Sequence, residues 1–347
     1  MNTSAPSVKD VARRAGVSLG TVSNVLNRPD TVRASTRARV EQAIAELGFV
    51  RNEPARALRG GNSRMIAYLA LDLTNPFFAD ITRGIEEVAR AHGLGLLLCS
   101  SDNDRARELE YLALLTEQRI RGLLVTAIDY GSDALHHLLD RGFPVVFVDR
   151  PANLEHRCTV GVDDVDGGDL AVSHLLDNGH RSIGFIGGPP AIPQVADRLA
   201  GSRQAVATAG LPAETLTVLE TRELNVAEGR RAGARVLGLP KRRRPTAVFC
   251  ANDLLALGVL QEMTLQAVAV PDELAIVGYD DIEFASAAAI PLTSVRQPRH
   301  QLGRAAAELL IDEALQGSSH EHRQTLYTPE LIVRASSRRG VRSRRAG

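Results

Sequence analysis

Residues 8–27 read VKDVARRAGVSLGTVSNVLN, and Ser7 stands just before them. Val8, Val11, Ala12 and Ala15 recur at helical spacing, and Asp10 follows Ser7 by three positions. This is a capping box with Asp in the usual Glu place, opening a helix that ends at Gly16. Ser18 caps a second helix over about Leu19 to Leu26, with Val22, Val25 and Leu26 turned inward. Only Gly16, Val17 and Ser18 separate the two, so the pair reads as a helix-turn-helix. A third amphipathic helix is predicted over about Ala34 to Leu47, burying Val40, Ala43, Ile44 and Leu47.

The outward residues of the second helix are Leu19, Gly20, Thr21, Ser23, Asn24 and Asn27, all uncharged and mostly small. Their surroundings are basic. Residues 1–64 hold 11 Lys and Arg against 5 Asp and Glu, although the 347-residue chain has no net charge. Residues 65–333 are acidic, 24 against 36, and the tail from 334 adds six Arg. A basic helical head on an acidic body points to a polyanion as partner. Small polar groups can approach base edges in a major groove, while Arg13, Arg14, Arg28, Arg33, Arg37 and Arg39 are suited to phosphates.

From Met65 onward short apolar runs alternate with amphipathic segments: MIAYLAL, LGLLLCS, GLLVTAI, PVVFVD, SIGFIGG, TAVFCAND and LAIVGYDD. Wholly apolar strands alternating with helices imply parallel sheets covered on both faces. Several runs end in Asp, Asn or Ser, and open α/β sheets bind ligands at the C-terminal ends of their strands. The strands suit two lobes, the first from about residue 65 to 161 and the second from about 162 to 292. LTSVRQPRHQLG after Pro291 reads as a return crossing, with a helix over about His300 to Gln316 rejoining the first lobe (298–327). A last crossing lies near Thr328, leaving 328–334 to the second lobe. Three crossings permit hinge closure over a cleft.

The head VKDVARRAGVSLGTVSNVLN and the stretch TRARVEQAIAELGFVRNEPARALRGG resemble lactose-repressor-type (LacI/GalR) transcription regulators, and the likeness runs from about Ser7 to Arg334. It implies an α/β chain: a DNA-binding head (1–50), a hinge helix and linker (51–64), and a two-lobed periplasmic-binding-protein-like core (65–334). An Arg-rich tail (335–347) is expected to be disordered and has no leucine heptads for a coiled coil. Leu19, Gly20 and Asn24 match the family's operator-reading positions. Gly20 has no side chain with which to read a base, so the operator does not transfer by analogy. Arg33 stands where the family often has a capping Ser and is suited to a phosphate. EPARALRGG (53–61) matches the hinge, in which Ala55 and Leu58 occupy minor-groove positions and Leu58 the wedge at the central step. Without the family, Pro54 at a first turn and Gly60-Gly61 after it still describe a short helix with a flexible exit. The DNA-facing set is completed by Ser7, Ser18, Thr21, Ser23, Asn27 and Asn52.

The resemblance also implies an effector set: Asn75, Phe77 and Phe78 in LTNPFF, Asp149 and Arg150 in VDRP, Arg198 in DRLAG, Asn252 in CAND, Asp280 in GYDD and Gln297 in VRQP. Carboxylates accept from sugar hydroxyls, Arg donates in a fixed fork, and aromatic faces cover C–H surfaces. Asp149 and Asp280 could instead cap helices, and Phe77 could be core. A small sugar, ribose-like pentose or hexose, is the expected effector. A purine-type corepressor is the in-family alternative. A homodimer on palindromic duplex DNA is expected.

No nucleophile–base constellation, phosphate loop, cofactor motif or metal spacing is present, so neither an enzyme nor a cofactor is expected. The histidines at 136–137 and in HEH (320–322) lack further ligands at metal spacing and read as solvated. KRRRP at 241–245 reads as an exposed loop. Cys99, Cys158 and Cys250 are far apart and read as buried thiols in a reducing compartment. No apolar run spans a membrane and no secretory leader is visible, so a cytoplasmic regulator is expected. A sugar-transport binding protein is the rival with the same core.

Overall fold

The computed structural model describes residues 6–49, 63–150 and 157–338. The chain separates into two compact units, residues 1–63 and 64–347.

The first unit holds three helices: α1 Val8–Ala15, α2 Leu19–Asn27 and α3 Ala34–Leu47. The Asp10 carboxylate accepts from both the N–H and the hydroxyl of Ser7, at 2.9 and 2.6 Å. Gly16 closes α1 in the left-handed region at φ 62°, which costs glycine nothing. Ser18 caps α2 by accepting from the Thr21 N–H at 3.1 Å. Val11, Val22 and Val40, one from each helix, are wholly buried together. Arg33 stands at the cap position before α3, and its side chain makes no capping bond.

The second unit carries two six-stranded sheets. The first contains β1 Met65–Ala70, β2 Gly95–Ser100, β3 Leu123–Val125, β4 Val145–Val148, β5 Cys158–Val162 and β11 Gln324–Tyr327, in the order β11-β5-β4-β3-β1-β2. The second contains β6 Ile183–Gly187, β7 Leu216–Glu220, β8 Ala247–Cys250, β9 Ala275–Asp280, β10 Thr293–Arg296 and β12 Glu330–Ile332, in the order β12-β10-β9-β8-β6-β7. All pairs are parallel except β10 with β12. Central strands such as β4 and β8 are buried along their whole length, as continuous apolar runs require. LGLLLCS, read as such a run, forms the edge strand β2 and is only half-buried.

The helices of this unit are α4 Pro76–Ala91, α5 Arg105–Glu117, α6 Asp133–Asp140, α7 Asp164–Asp177, α8 Pro193–Thr208, α9 Val226–Gly238, α10 Asp253–Leu265, α11 Glu283–Ala287 and α12 Arg299–Gln316. The chain passes from the first sheet to the second after β5, returns through α12 and crosses again between β11 and β12. The predicted return crossing therefore contains a strand, β10, before the chain turns back. α12 packs along α4 at glycine distance: a Cβ on Gly84 would overlap the His300 carbonyl, and one on Gly303 the Ile81 carbonyl.

Two expectations need correction. Residues 335–338 do not begin a loose tail. Ser336 and Ser337 are wholly buried. Ser336 Oγ donates to the Ile276 carbonyl at 2.6 Å, and Ser337 Oγ lies 2.7 Å from both Thr293 Oγ1 and His174 Nε2. Residues 339–347 lie outside the described residues. The HEH stretch is also not simply solvated. The His320 side chain is 1% exposed, with Nε2 3.1 Å from Cys158 Sγ. The parallel pairing of β11 with β5 brings these distant positions together. His136 and His137, by contrast, are exposed on α6.

Candidate functional site

In the core unit, the C-terminal ends of strands from both sheets meet at a cleft enclosing about 470 Å³, part of it open to solvent. Asn75, Phe77, Phe78, Asp149, Arg198, Asn252 and Asp280 all line it. Gln297 stands behind the lining, 2% exposed, and its Nε2 donates to Asp280 Oδ1 at 2.8 Å. Arg150 is not among the lining residues; its guanidinium sits 4.5 Å over the Tyr130 ring.

The asparagines, not the aspartates, cap helices here. Asn75 caps α4 by accepting from the Phe77 N–H at 3.0 Å. Asn252 caps α10 by accepting from Leu255, and its Nδ2 donates to the Leu224 carbonyl, both at 2.9 Å. Asp149 and Asp280 end β4 and β9 with left-handed backbones, at φ 59° and 102°. Residues in that region are strained and persist where the surroundings hold them. The rings of Phe77 and Phe78 meet edge to face, 5.0 Å between centroids.

Hydrogen bonds cross the cleft in both directions. Asn75 Nδ2, from the first lobe, donates to Asp280 Oδ2 at 3.3 Å. Gln194 Nε2, on α8 of the second lobe, donates to the Asp149 carbonyl at 2.5 Å and to its Oδ2 at 3.2 Å. Gln194 was not singled out from the sequence, because nothing in AIPQVADR marks it apart from its place one turn before Arg198. Two acceptors here, Asp149 Oδ1 and Gln194 Oε1, are buried with no hydrogen-bond partner among the described residues.

Arg198 is less free than a bidentate ligand arm would be. Its Nε donates to Asp164 Oδ1 at 2.8 Å and its Nη1 to the Ala251 carbonyl at 2.6 Å, while the guanidinium lies 3.7 Å over the Tyr279 ring. Neither of these two bonds uses Nη2. Burial holds the Asp149 carboxyl well above the ordinary carboxylate range, reinforced by Asp164 and opposed by Arg198. Burial likewise raises Asp280 to about 6, although Arg198 and the Asn75 and Gln297 amides favour its charged form.

In the head, Leu19 is 48% exposed, and Gly20, Asn24 and Asn27 are exposed beside it. Thr21 and Ser23 are half-buried, and Asn27 Nδ2 donates to Ser23 Oγ at 3.3 Å. Arg13 pairs with Asp10 at 3.1 Å, Arg14 with Glu46 and Arg37 with Glu41 at 3.9 Å. Such exposed pairs are weak and exchange readily for a phosphate. Asn52, Ala55 and Leu58 lie outside the described residues.

Residues 7–52 match the family described as bacterial regulatory proteins, lacI family, and residues 172–337 match the periplasmic binding protein-like domain. Over 330 residues, 95% of this chain and 98% of the relative, the sequence is 33% identical to the HTH-type transcriptional repressor PurR of Photobacterium profundum. The chain belongs to the lacI family. It is a DNA-binding transcriptional repressor with a periplasmic-binding-protein-like core. Among solved structures, the lac repressor dimer bound to operator and the anti-inducer ONPF superposes with a TM-score of 0.82 at 27% identity, covering 96% of this chain and 99% of that one. A LacI family regulator from Enterococcus faecium with bound ribose superposes at 0.72 and 29%, covering 79% and 98%. No helix among the described residues is long and apolar enough to cross a membrane.

Proposed function

We propose that this lacI-family repressor is a homodimer whose affinity for a palindromic operator is set by a small polyhydroxylated effector, a pentose or hexose, held between the lobes. The observation that carries the effector class is a pair of buried acceptors with no partner among the described residues, Asp149 Oδ1 and Gln194 Oε1, on two residues that line one cleft. Buried acceptors are costly when unpaired, so the fitting ligand is one that brings several donors at once. Sugar hydroxyls do this, and each hydroxyl can also accept from Arg198 Nη2. The edge-to-face phenylalanines offer apolar surface to C–H groups rather than a slot for a flat ring. The ribose-bound relative supports the same reading.

The effector acts by population shift. It bridges groups that now bond across the cleft and so favours one lobe arrangement, and the hinge segments that accompany DNA binding respond to that arrangement. A purine effector is the second reading, favoured by the relative named PurR.

A thermal-shift panel of ribose, other pentoses, hexoses and purines tests the assignment. A ligand at 100 times its Kd stabilises by about 2.7 kcal/mol. A sugar is expected to raise Tm in the wild type and to lose most of its effect in Asp149→Asn, which keeps an acceptor for Gln194. Stabilisation by purines alone overturns the sugar reading and leaves the repressor intact. Selection of duplexes from a random library is expected to return a palindrome bound with affinity that falls steeply with salt.

A further inference from the structure

We propose that the first lobe carries a zinc site, formed by Cys158, Glu313, His320 and His322, at the end of its sheet opposite the effector cleft. One ligand atom from each of these residues lies within 4.8 Å of all the others. Cys158 opens β5, Glu313 lies in the last turn of α12, and the two histidines precede β11. The cleft forms at the C-terminal ends of the strands, so a group at the start of β5 is remote from it.

The donor set and spacing suit Zn²⁺. One soft thiolate, two borderline imidazoles and one hard carboxylate are donors of the kinds that zinc takes in four-coordinate sites. Bonds of about 2.3 Å to sulfur and 2.0–2.1 Å to nitrogen put S and N about 3.5 Å apart in a tetrahedron. Cys158 Sγ is 3.1 Å from His320 Nε2 and 3.6 Å from His322 Nδ1. Glu313 Oε2 is buried with no hydrogen-bond partner among the described residues. Around these donors, the Asp312 carboxylate lies 3.3 Å from His320 Nδ1 without a hydrogen bond in this geometry, within reach of the N–H that a metal-bound imidazole would turn outward. The Arg323 N–H donates toward Cys158 Sγ at 3.5 Å.

Binding replaces the thiol S–H by an S–Zn bond and releases that proton to solvent, with no change of oxidation state. The ion ties α12, which carries the chain back from the second lobe, to the β5–β11 pair. It is therefore a structural staple of the lobe.

The full-length protein, stripped with a chelator and dialysed, is titrated with Zn²⁺, with Mg²⁺ as the control. The expected result is one tightly bound zinc per chain with a rise in Tm, and no response to Mg²⁺. Co²⁺ is expected to give a thiolate-to-cobalt absorption band that is lost in Cys158→Ser. His322→Ala alters an exposed side chain, so its circular dichroism is expected to match the wild type while zinc uptake falls at least tenfold. If Cys158→Ser misfolds, His322→Ala alone decides. Wild type that binds less than one zinc per chain, or full uptake retained by folded His322→Ala, overturns the proposal.

Discussion

Asn75 and Asp280 are 205 residues apart in the chain and 3.3 Å apart across the cleft, the amide of one donating to the carboxylate of the other. The same asparagine caps α4 with its oxygen, so a single side chain both starts a helix of the first lobe and holds the end of β9 in the second. Asn75→Ser and Asn75→Asp both keep a capping oxygen, but only the aspartate sets a second carboxylate against Asp280. At pH 8 the aspartate variant is expected to melt below the serine variant. At pH 5 Asp280 is mostly protonated and the gap is expected to close. Melting curves of the two variants at both pH values check this.

Asp280 also makes a pH signature of its own. Its folded value of about 6 lies above the ordinary carboxylate value of 3.8. The native state therefore holds the proton more tightly than the unfolded chain. The resulting stability is complete below the unfolded value and is lost as pH rises through 6. Between pH 5 and pH 8 the loss is on the order of 1 kcal/mol. Asp280→Asn removes the titration, so its stability relative to wild type is expected to improve by that amount over the same interval, as read by urea denaturation.

Arg198 and Asp164 form a pair with side chains only 6% and 1% exposed. Removing one partner leaves a buried charge uncompensated, which costs about 3–5 kcal/mol. Arg198→Met is expected to lower Tm by roughly 10 °C, and Arg198→Met with Asp164→Asn by clearly less. Calorimetry of the single and double variants distinguishes this from a purely ligand-facing arginine, whose loss would leave the ligand-free protein unchanged.

In the head, Gly20 occupies the first turn of α2, and a Cβ there would meet only Ser18 Oγ, at 3.7 Å. Alanine favours a helix over glycine by up to about 1 kcal/mol. Gly20→Ala is expected to raise the stability of the head while changing which duplexes it selects. Hydrogen exchange of residues 8–47 and repeat selection from the duplex library read the two effects separately.

The three helices of the head were legible almost to the residue, because their boundaries are local events: Ser7 with Asp10, Gly16, Ser18. The central strands were legible because burial on both faces leaves nothing but apolar side chains. β7 was not: LTVLE is an edge strand in which the exposed Thr217 and Glu220 interrupt the apolar residues. Lining residues at strand ends were found, but Gln194 was not, since its role depends on a lobe contact 45 residues away. The His320–Cys158 contact spans 162 residues and exists only through β-pairing, so no spacing rule could reveal it. Arg198 lines the cleft, but its hold on Asp164 depends on the packing of two helices, which no local pattern encodes.

Because β11 is translated after five of the second lobe's six strands, a nascent first lobe presents β5 as an open parallel edge while residues 163–323 are being made. Open strand edges recruit other chains. The growing polypeptide thus depends on a strand within its last 24 residues to seal its earliest large sheet. A stop codon just before Gln324 would leave the second lobe's central strands intact but the first with an adhesive flank, so early termination is expected to yield aggregates rather than a working fragment.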